Sequence, residues 1–299
     1  MMKIRRRIAG TPEPMHFWRG FGDVRIAGDS WGDPAAPLVV LLHGGGQTRH
    51  AWKRIGEELG AAGYYAVAFD ARGHGDSDWV DDGDYSQDAM LEDLRCVIGQ
   101  LGKTHAALVG ASMGGETSLI AAGERRLHAS AVILVDTAPK VEIEGVQKIG
   151  AFMLQKRDGF DSLEEVADAI ANYQPHRTRP KDLGGLAKNV RLGANGKYYW
   201  HWDPQFLIGL EKTFDLVKRQ QRLETCASRV EIPTLLVRGG MSDVVSEEGA
   251  REFLRLYPKS QYVNITKASH MVAGDRNDIF GAAIIEFLSR EVPPSPADR

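Results

Sequence analysis

The sequence predicts an α/β protein: a mainly parallel, doubly wound sheet with helices on both faces and a mainly helical insertion after the sixth strand. Three observations predict it. Apolar runs such as Leu38–Leu42 and Ala131–Val135 are continuous rather than alternating, as in strands covered on both faces. Stretches with helical periodicity alternate with these runs, which implies βαβ units. Finally, Gly110-Ala111-Ser112-Met113-Gly114 stands where the apolar run His105–Val109 gives way to the helix-like stretch Glu116–Ala122.

The elements follow in order. Short strands are expected around Phe17–Phe21 and Val24–Ala27, then a turn through Asp29–Pro37. Leu38–Leu42 is a buried strand ending in His43-Gly44-Gly45-Gly46. Ala51–Leu59 has helical periodicity, Tyr64–Phe69 is the next strand, and Gln87–Leu101 is a helix with Ser86 as N-cap. After the strand and helix around Ser112 comes the strand Ala131–Val135, ending at Asp136. The rhythm resumes with Thr234–Val237, a helix over Glu247–Leu256, the strand Tyr262–Ile265 and a last helix Ile279–Ser289. Pro293–Arg299 is expected to be a frayed tail.

Between Asp136 and about Ser228 the βαβ rhythm breaks. Val141–Phe160 and Leu163–Tyr173 are expected helices, the second capped by Ser162. Pro175–Pro180, with His176, Arg177 and Arg179, has the composition of a hinge. An aromatic cluster, Tyr198-Tyr199-Trp200-His201-Trp202, precedes another helix across Phe206–Arg219. The expected division is therefore a core of residues 1–139 and 229–299 with an inserted unit at 140–228.

Composition bounds the function. The 299 residues can bury a large core, and 43% hydrophobic with 26% charged residues is ordinary for a globular enzyme. A net charge of −3 argues against nucleic acid or an anionic membrane as partner. The start, Met1–Arg7, is basic, but no apolar stretch follows it, so no secretory signal is expected, and no window has the apolar length of a membrane span. Cys96 and Cys226 lack metal-ligand spacing. Cys96 reads as a small core residue and Cys226 as exposed, and a cytoplasmic setting is expected. Oligomeric state is not legible.

A Gly-x-Ser-x-Gly between a buried strand and a helix forces a sharp turn. Gly110 and Gly114 let strand and helix approach closely while Ser112 is held with its hydroxyl exposed. The following helix start directs N–H groups at a developing oxyanion. This stretch resembles the nucleophile elbow of the α/β-hydrolase superfamily. The similarity extends to Asp70-Ala71-Arg72-Gly73-His74-Gly75-Asp76-Ser77, which resembles the family's D-x-R-G-x-G-x-S segment, and it spans about Phe17–Pro139 and Ile232–Leu288. There Arg72 and Asp76 are expected to hold neighbouring loops, and His74 to have no catalytic part. The insertion resembles the family's cap domain. Within it, Trp200, Trp202 and Tyr199 are candidate substrate contacts, and the cap's own core is an equal alternative.

The resemblance implies a chain order of serine, acid and histidine. Asp243, in Arg238-Gly239-Gly240-Met241-Ser242-Asp243, falls at the acid position and His270 at the base position. Asp136 is the alternative acid, since some members take their carboxylate there; the loop around Asp243 fits better. The oxyanion hole is expected from the N–H groups of Met113 and Gly45, with Gly44 possible, and His43 is expected to support that loop. No metal and no organic cofactor is implied.

The resemblance implies a carboxylic ester hydrolase (Ser112 nucleophile, His270 base, Asp243 orienter) acting on a small, largely apolar ester through an acyl-enzyme. Lactonases, amidases, carbon–carbon hydrolases of ring-cleavage diketones and cofactor-free perhydrolases share nearly the same residues. Arg177, Arg179 or Arg191 are candidates to bind a substrate carboxylate in the carbon–carbon case. Ser112 argues against dehalogenases and epoxide hydrolases, which use an aspartate nucleophile. A ligand receptor that keeps the fold with little turnover is the reading from a different class.

Overall fold

The computed structural model describes residues 6–173, 183–213, 216–270 and 277–294. Its centre is an eight-stranded sheet of β1 (His16–Arg19), β2 (Arg25–Trp31), β3 (Leu38–Leu42), β4 (Tyr65–Phe69), β5 (His105–Ala111), β6 (His128–Val135), β9 (Thr234–Gly239) and β10 (Gln261–Ile265). The spatial order is β1-β2-β4-β3-β5-β6-β9-β10. Within this sheet only β2 runs against the other strands: it pairs antiparallel with both β1 and β4, while β4, β3, β5, β6, β9 and β10 pair in parallel.

The continuous apolar runs are explained by burial on both faces. In β3, Leu38, Val40 and Leu42 face one core, whereas Val39 and Leu41 face the other. The first core is covered by α2 (Gln87–Gln100), α3 (Met113–Gly123) and α8 (Glu247–Leu256), and the second by α1 (Lys53–Ala61) and α9 (Gly281–Glu291). The sheet is thus doubly wound. Ser86 caps α2 by accepting from the Ala89 N–H at 3.2 Å, and Ser246 caps α8 by accepting from Gly249 at 3.1 Å.

Between β6 and β9 lie α4 (Ile143–Met153), α5 (Leu163–Tyr173), a small hairpin of β7 (Val190–Leu192) and β8 (Tyr198–Trp200), α6 (Pro204–Thr213) and α7 (Leu216–Arg229). The helix α7 lies along α3 of the sheet's helical layer, where a Cβ on Gly123 would run into the Cys226 backbone.

Several expectations are corrected. The helix expected to run to Phe160 ends at Met153; Lys156 and Gly159 adopt left-handed φ values of 51° and 89°, and Phe160 bridges Tyr198 instead. The turn expected from Asp29 begins later, because β2 runs on to Trp31 against β4. The helix expected over Phe206–Arg219 is described on both sides of residues 214 and 215, as α6 and the start of α7, and those two residues lie outside the described ones. Cys226 is buried and Cys96 only half-buried, the reverse of the expectation. The hinge at Pro175–Pro180, with Arg177 and Arg179, lies outside the described residues, as do most of the tail and the basic residues at 1–5.

Candidate active site

Ser112 stands between β5 and α3 with φ 46° and ψ −115°, a left-handed backbone that a side-chain-bearing residue rarely adopts. The glycines around it make this turn feasible. A Cβ on Gly110 would collide with the Gly114 carbonyl, and one on Gly114 with the Leu42 carbonyl of β3. The Ser112 N–H donates to the Val135 carbonyl at 3.2 Å, so the serine sits directly beside the end of β6. It is half-buried, whereas Met113, the first residue of α3, is buried.

Asp136 is the next residue after β6. It also has a left-handed φ, of 49°, and its N–H donates to the Val237 carbonyl of β9 at 2.7 Å. Its buried carboxylate accepts three bonds: from the Gly239 N–H at 3.1 Å, from the Ser242 hydroxyl at 2.7 Å and from His270 Nδ1 at 2.7 Å. His270, on the loop after β10, is buried as well. A carboxylate at Nδ1 fixes the proton there and leaves Nε2 as the free acceptor, the arrangement a general base requires.

Asp243 does not occupy the position expected of it. Its carboxylate lies half-exposed against Lys148 Nζ at 2.8 Å. The cause is local. The Ser242 hydroxyl accepts from the N–H groups of Val244 and Val245 at 3.2 and 3.0 Å while donating to Asp136, and this turn carries the next side chain outward. The carboxylate beside the candidate base is therefore that of Asp136, which the sequence offered only as the alternative.

The loop after β3 is held by three buried histidines. The Ala71 N–H donates to His43 Nε2 at 2.9 Å, so the ring proton is on Nδ1, which donates to the Gly44 carbonyl at 2.8 Å. In a trans peptide the N–H points opposite to the C=O, so this bond turns the Gly45 N–H away from His43. The Gly44 N–H is engaged with Gln47 Oε1 at 3.0 Å. Of the two candidate donors Gly44 and Gly45, the geometry thus favours Gly45. Gln47 also reaches buried Asn277 at 3.3 Å, a tie that has no motif in the sequence. Burial pushes the pKa of His43 below its ordinary value, with Asp70 opposing, and lowers that of His74 to about 3. Burial thereby favours the neutral form of both rings, in keeping with a loop-supporting part for His43 and no catalytic part for His74.

The D-x-R-G-x-G-x-S segment forms a buried ionic network. Arg49 contacts Asp29 at 2.9 Å, Asp70 at 2.6 Å and Asp76 at 2.9 Å. Arg72 grips both carboxylate oxygens of Asp93, at 2.7 and 2.8 Å, and reaches the Phe21 carbonyl. Arg72 and Asp76 hold loops, as expected. Arg191 is also engaged, with Asp76 at 2.8 Å and with the Gly75 carbonyl.

Tyr199, Trp200 and Trp202 are buried within the inserted segment. Trp200 and Trp202 stack at 4.8 Å, and Trp200 packs on Phe152 and Phe160 at 5.4 and 5.0 Å. These rings form the segment's own core, the alternative noted from sequence. The ring that approaches the Gly45 loop is one the sequence did not single out: a Cβ on Gly45 would meet Phe206 at 3.9 Å. Among the described residues, no cluster of side chains suits a metal ion, and no helix is long and apolar enough to cross a membrane.

Comparison with known proteins agrees with this geometry. The chain is 30% identical over 252 residues to the esterase Rv0045c of Mycobacterium tuberculosis, covering 82% of this chain and 80% of that protein. It is 27% identical over 269 residues to the mouse (Mus musculus) sn-1-specific diacylglycerol lipase ABHD11, covering 86% of this chain and 83% of the lipase. Among solved structures, that of E-2-(acetamidomethylene)succinate hydrolase superposes with a TM-score of 0.77 over 92% of this chain and all of that one, at 23% identity. The profile of the alpha/beta hydrolase fold matches residues 37–276. The chain belongs to the α/β-hydrolase family and is a hydrolase.

Proposed function

We propose that this protein hydrolyses carboxylic esters of small, largely apolar molecules, with Ser112 as nucleophile, His270 as base and Asp136 as the carboxylate that orients it. The observation that carries this reading is the 2.7 Å bond from His270 Nδ1 to Asp136, at the end of the strand beside the strained Ser112. The esterase and lipase among the relatives favour an ester over another acyl bond.

His270 Nε2 takes the Ser112 hydroxyl proton as Oγ bonds to the carbonyl carbon. The carbonyl electron pair moves to oxygen, where the N–H groups of Met113 and Gly45 receive it. Collapse breaks the bond to the alkoxy oxygen, which leaves as the alcohol with the proton from His270. Water, deprotonated by His270, then attacks the acyl-enzyme, and the acid departs as Ser112 regains its proton. The inserted segment, through Phe206, is the proposed apolar cover of the acyl group.

The test is hydrolysis of p-nitrophenyl esters from acetate to laurate by the wild type and by Ser112→Ala. Turnover that falls by several orders of magnitude in the variant is the expected result, since loss of a triad nucleophile costs on the order of a million-fold. Absence of serine-dependent turnover, with no labelling of Ser112 by a fluorophosphonate, overturns the reading in favour of a ligand-binding protein.

A further inference from the structure

We propose that His201, carried by the inserted segment, is a positioning residue for the oxyanion loop, so that the hole is complete only while this corner of the insertion is docked. This rests on the reading of Gly45 as an oxyanion donor.

The bonding pattern fixes the direction of each contact. The Gly75 N–H donates to His201 Nδ1 at 2.8 Å, so the ring proton is on Nε2, and Nε2 lies 3.2 Å from the Gly46 carbonyl. The Gly46 N–H in turn donates to His74 Nε2 at 3.3 Å, and His74 Nδ1 donates to the Arg72 carbonyl at 3.2 Å. Gly46 is thus gripped at both its N–H and its C=O, and Gly44 is gripped by His43 and Gln47. Gly45 lies between them. Without these bonds, three successive glycines would leave the donor's direction poorly defined. Preorganisation of the donor is what gives an oxyanion hole its effect.

His43 and His74 belong to the core, whereas His201 belongs to the insertion. Its position is secured by neighbours on the same segment. The Asp203 N–H donates to the Gly73 carbonyl at 2.8 Å, the Asp203 carboxylate accepts from the Tyr85 hydroxyl at 2.6 Å, and Arg191 holds Asp76. A purely structural anchor would need these contacts alone. The additional bond to Gly46 connects the insertion to the peptide next to the proposed donor.

Two substitutions of similar size separate the two ring nitrogens. His201→Asn keeps an acceptor near the Nδ1 position but cannot reach Gly46; His201→Gln places an N–H near the Nε2 position and keeps that bond. With p-nitrophenyl acetate, His201→Asn is expected to lose about tenfold or more in kcat, with KM within about twofold, and affinity for a trifluoromethyl ketone should fall in parallel. His201→Gln should restore most of kcat at a comparable melting temperature. The backbone amide resonances of Gly46 and Gln47 in 15N spectra should move in the asparagine variant and stay in place in the glutamine variant. Equal kcat in the two variants, or losses that only follow the melting temperature, overturns the proposal. If Ser112→Ala leaves turnover intact, the esterase reading fails instead, and the amide resonances still decide whether His201 holds the loop.

Discussion

Asp136 Oδ2 lies 2.7 Å from His270 Nδ1, whereas the carboxylate of Asp243 turns away from that bond and faces Lys148 Nζ at 2.8 Å. The carboxylate that orients the proposed base therefore comes from the strand next to Ser112. Asp136→Asn should keep the shape of the site but remove the acceptor that fixes the Nδ1–H tautomer, at a cost of about 10⁴-fold in kcat. Asp243→Asn removes only a surface ion pair and should leave kcat within about twofold and stability within about 1 kcal/mol. Ester hydrolysis by the two variants decides between the carboxylates; a larger loss at Asp243 would refute the assignment.

Ser112 should be a site where stability and activity oppose each other. At φ 46° and ψ −115° its Cβ is strained, and Ser112→Gly removes the Cβ together with the nucleophile. Relief of strain of about 1–3 kcal/mol, less the added chain entropy of glycine of about 0.5–1 kcal/mol, leaves a net gain on the order of 1 kcal/mol. Ser112→Ala keeps the Cβ and should lose turnover without that gain. Urea unfolding of the two variants measures the difference, and equal midpoints would show that the turn is unstrained.

How far the sequence specifies this site follows from which interactions are local. The strands Leu38–Leu42 and Thr234–Gly239 are legible because both faces are covered, which removes any polar alternation. The caps at Ser86 and Ser246 are legible because a cap bond spans three residues. The acid is not local. Asp136 and Asp243 both follow strands that pair side by side, β6 and β9, so chain order admits either. The choice is made by the Ser242 turn and by a bond spanning 134 residues, neither of which has a sequence period. The part played by His201 is illegible for the same reason: its neighbours Trp200 and Trp202 carry the visible aromatic pattern, and its partners Gly46 and Gly75 lie far away in the chain.

The stacked tryptophans should matter to the integrity of the insertion more than to substrate choice. Trp200 is buried against Phe152, Phe160 and Trp202. Trp200→Ala leaves a large cavity and should cost about 3–5 kcal/mol. The expected signature is faster proteolytic cleavage within residues 140–228 and a lowered melting temperature, with the acyl-length preference of the remaining folded enzyme unchanged. A shifted preference at unchanged stability would instead make Trp200 a wall of the pocket.

The buried histidines should make stability depend steeply on mildly acidic pH. Burial lowers the pKa of His50 and His74 to about 3, that of His201 well below its ordinary value and that of His43 in the same direction. In the unfolded chain each titrates near 6.5, so between about pH 6.5 and 3 the unfolded state binds protons that the folded state refuses. Stability is then fully present above pH 6.5 and is lost as pH falls, by up to about 1.4 kcal/mol per pH unit for each such ring. Asp70 adds to the loss at lower pH: burial works to raise its pKa, but Arg49 outweighs it and holds the carboxyl below the usual range. Asp93 opposes it, because burial outweighs its pairing with Arg72 and raises its pKa, so that this one carboxyl takes up its proton more readily in the folded state. Among the described residues, these four histidines outweigh the raised carboxyl of Asp93 and set the net sign. The urea midpoint should therefore change little between pH 8 and 7 through these groups and fall sharply between pH 6 and 4.5, and His50→Gln should make that fall shallower. A midpoint that stays level down to pH 5 would mean that these rings accept protons in the folded protein.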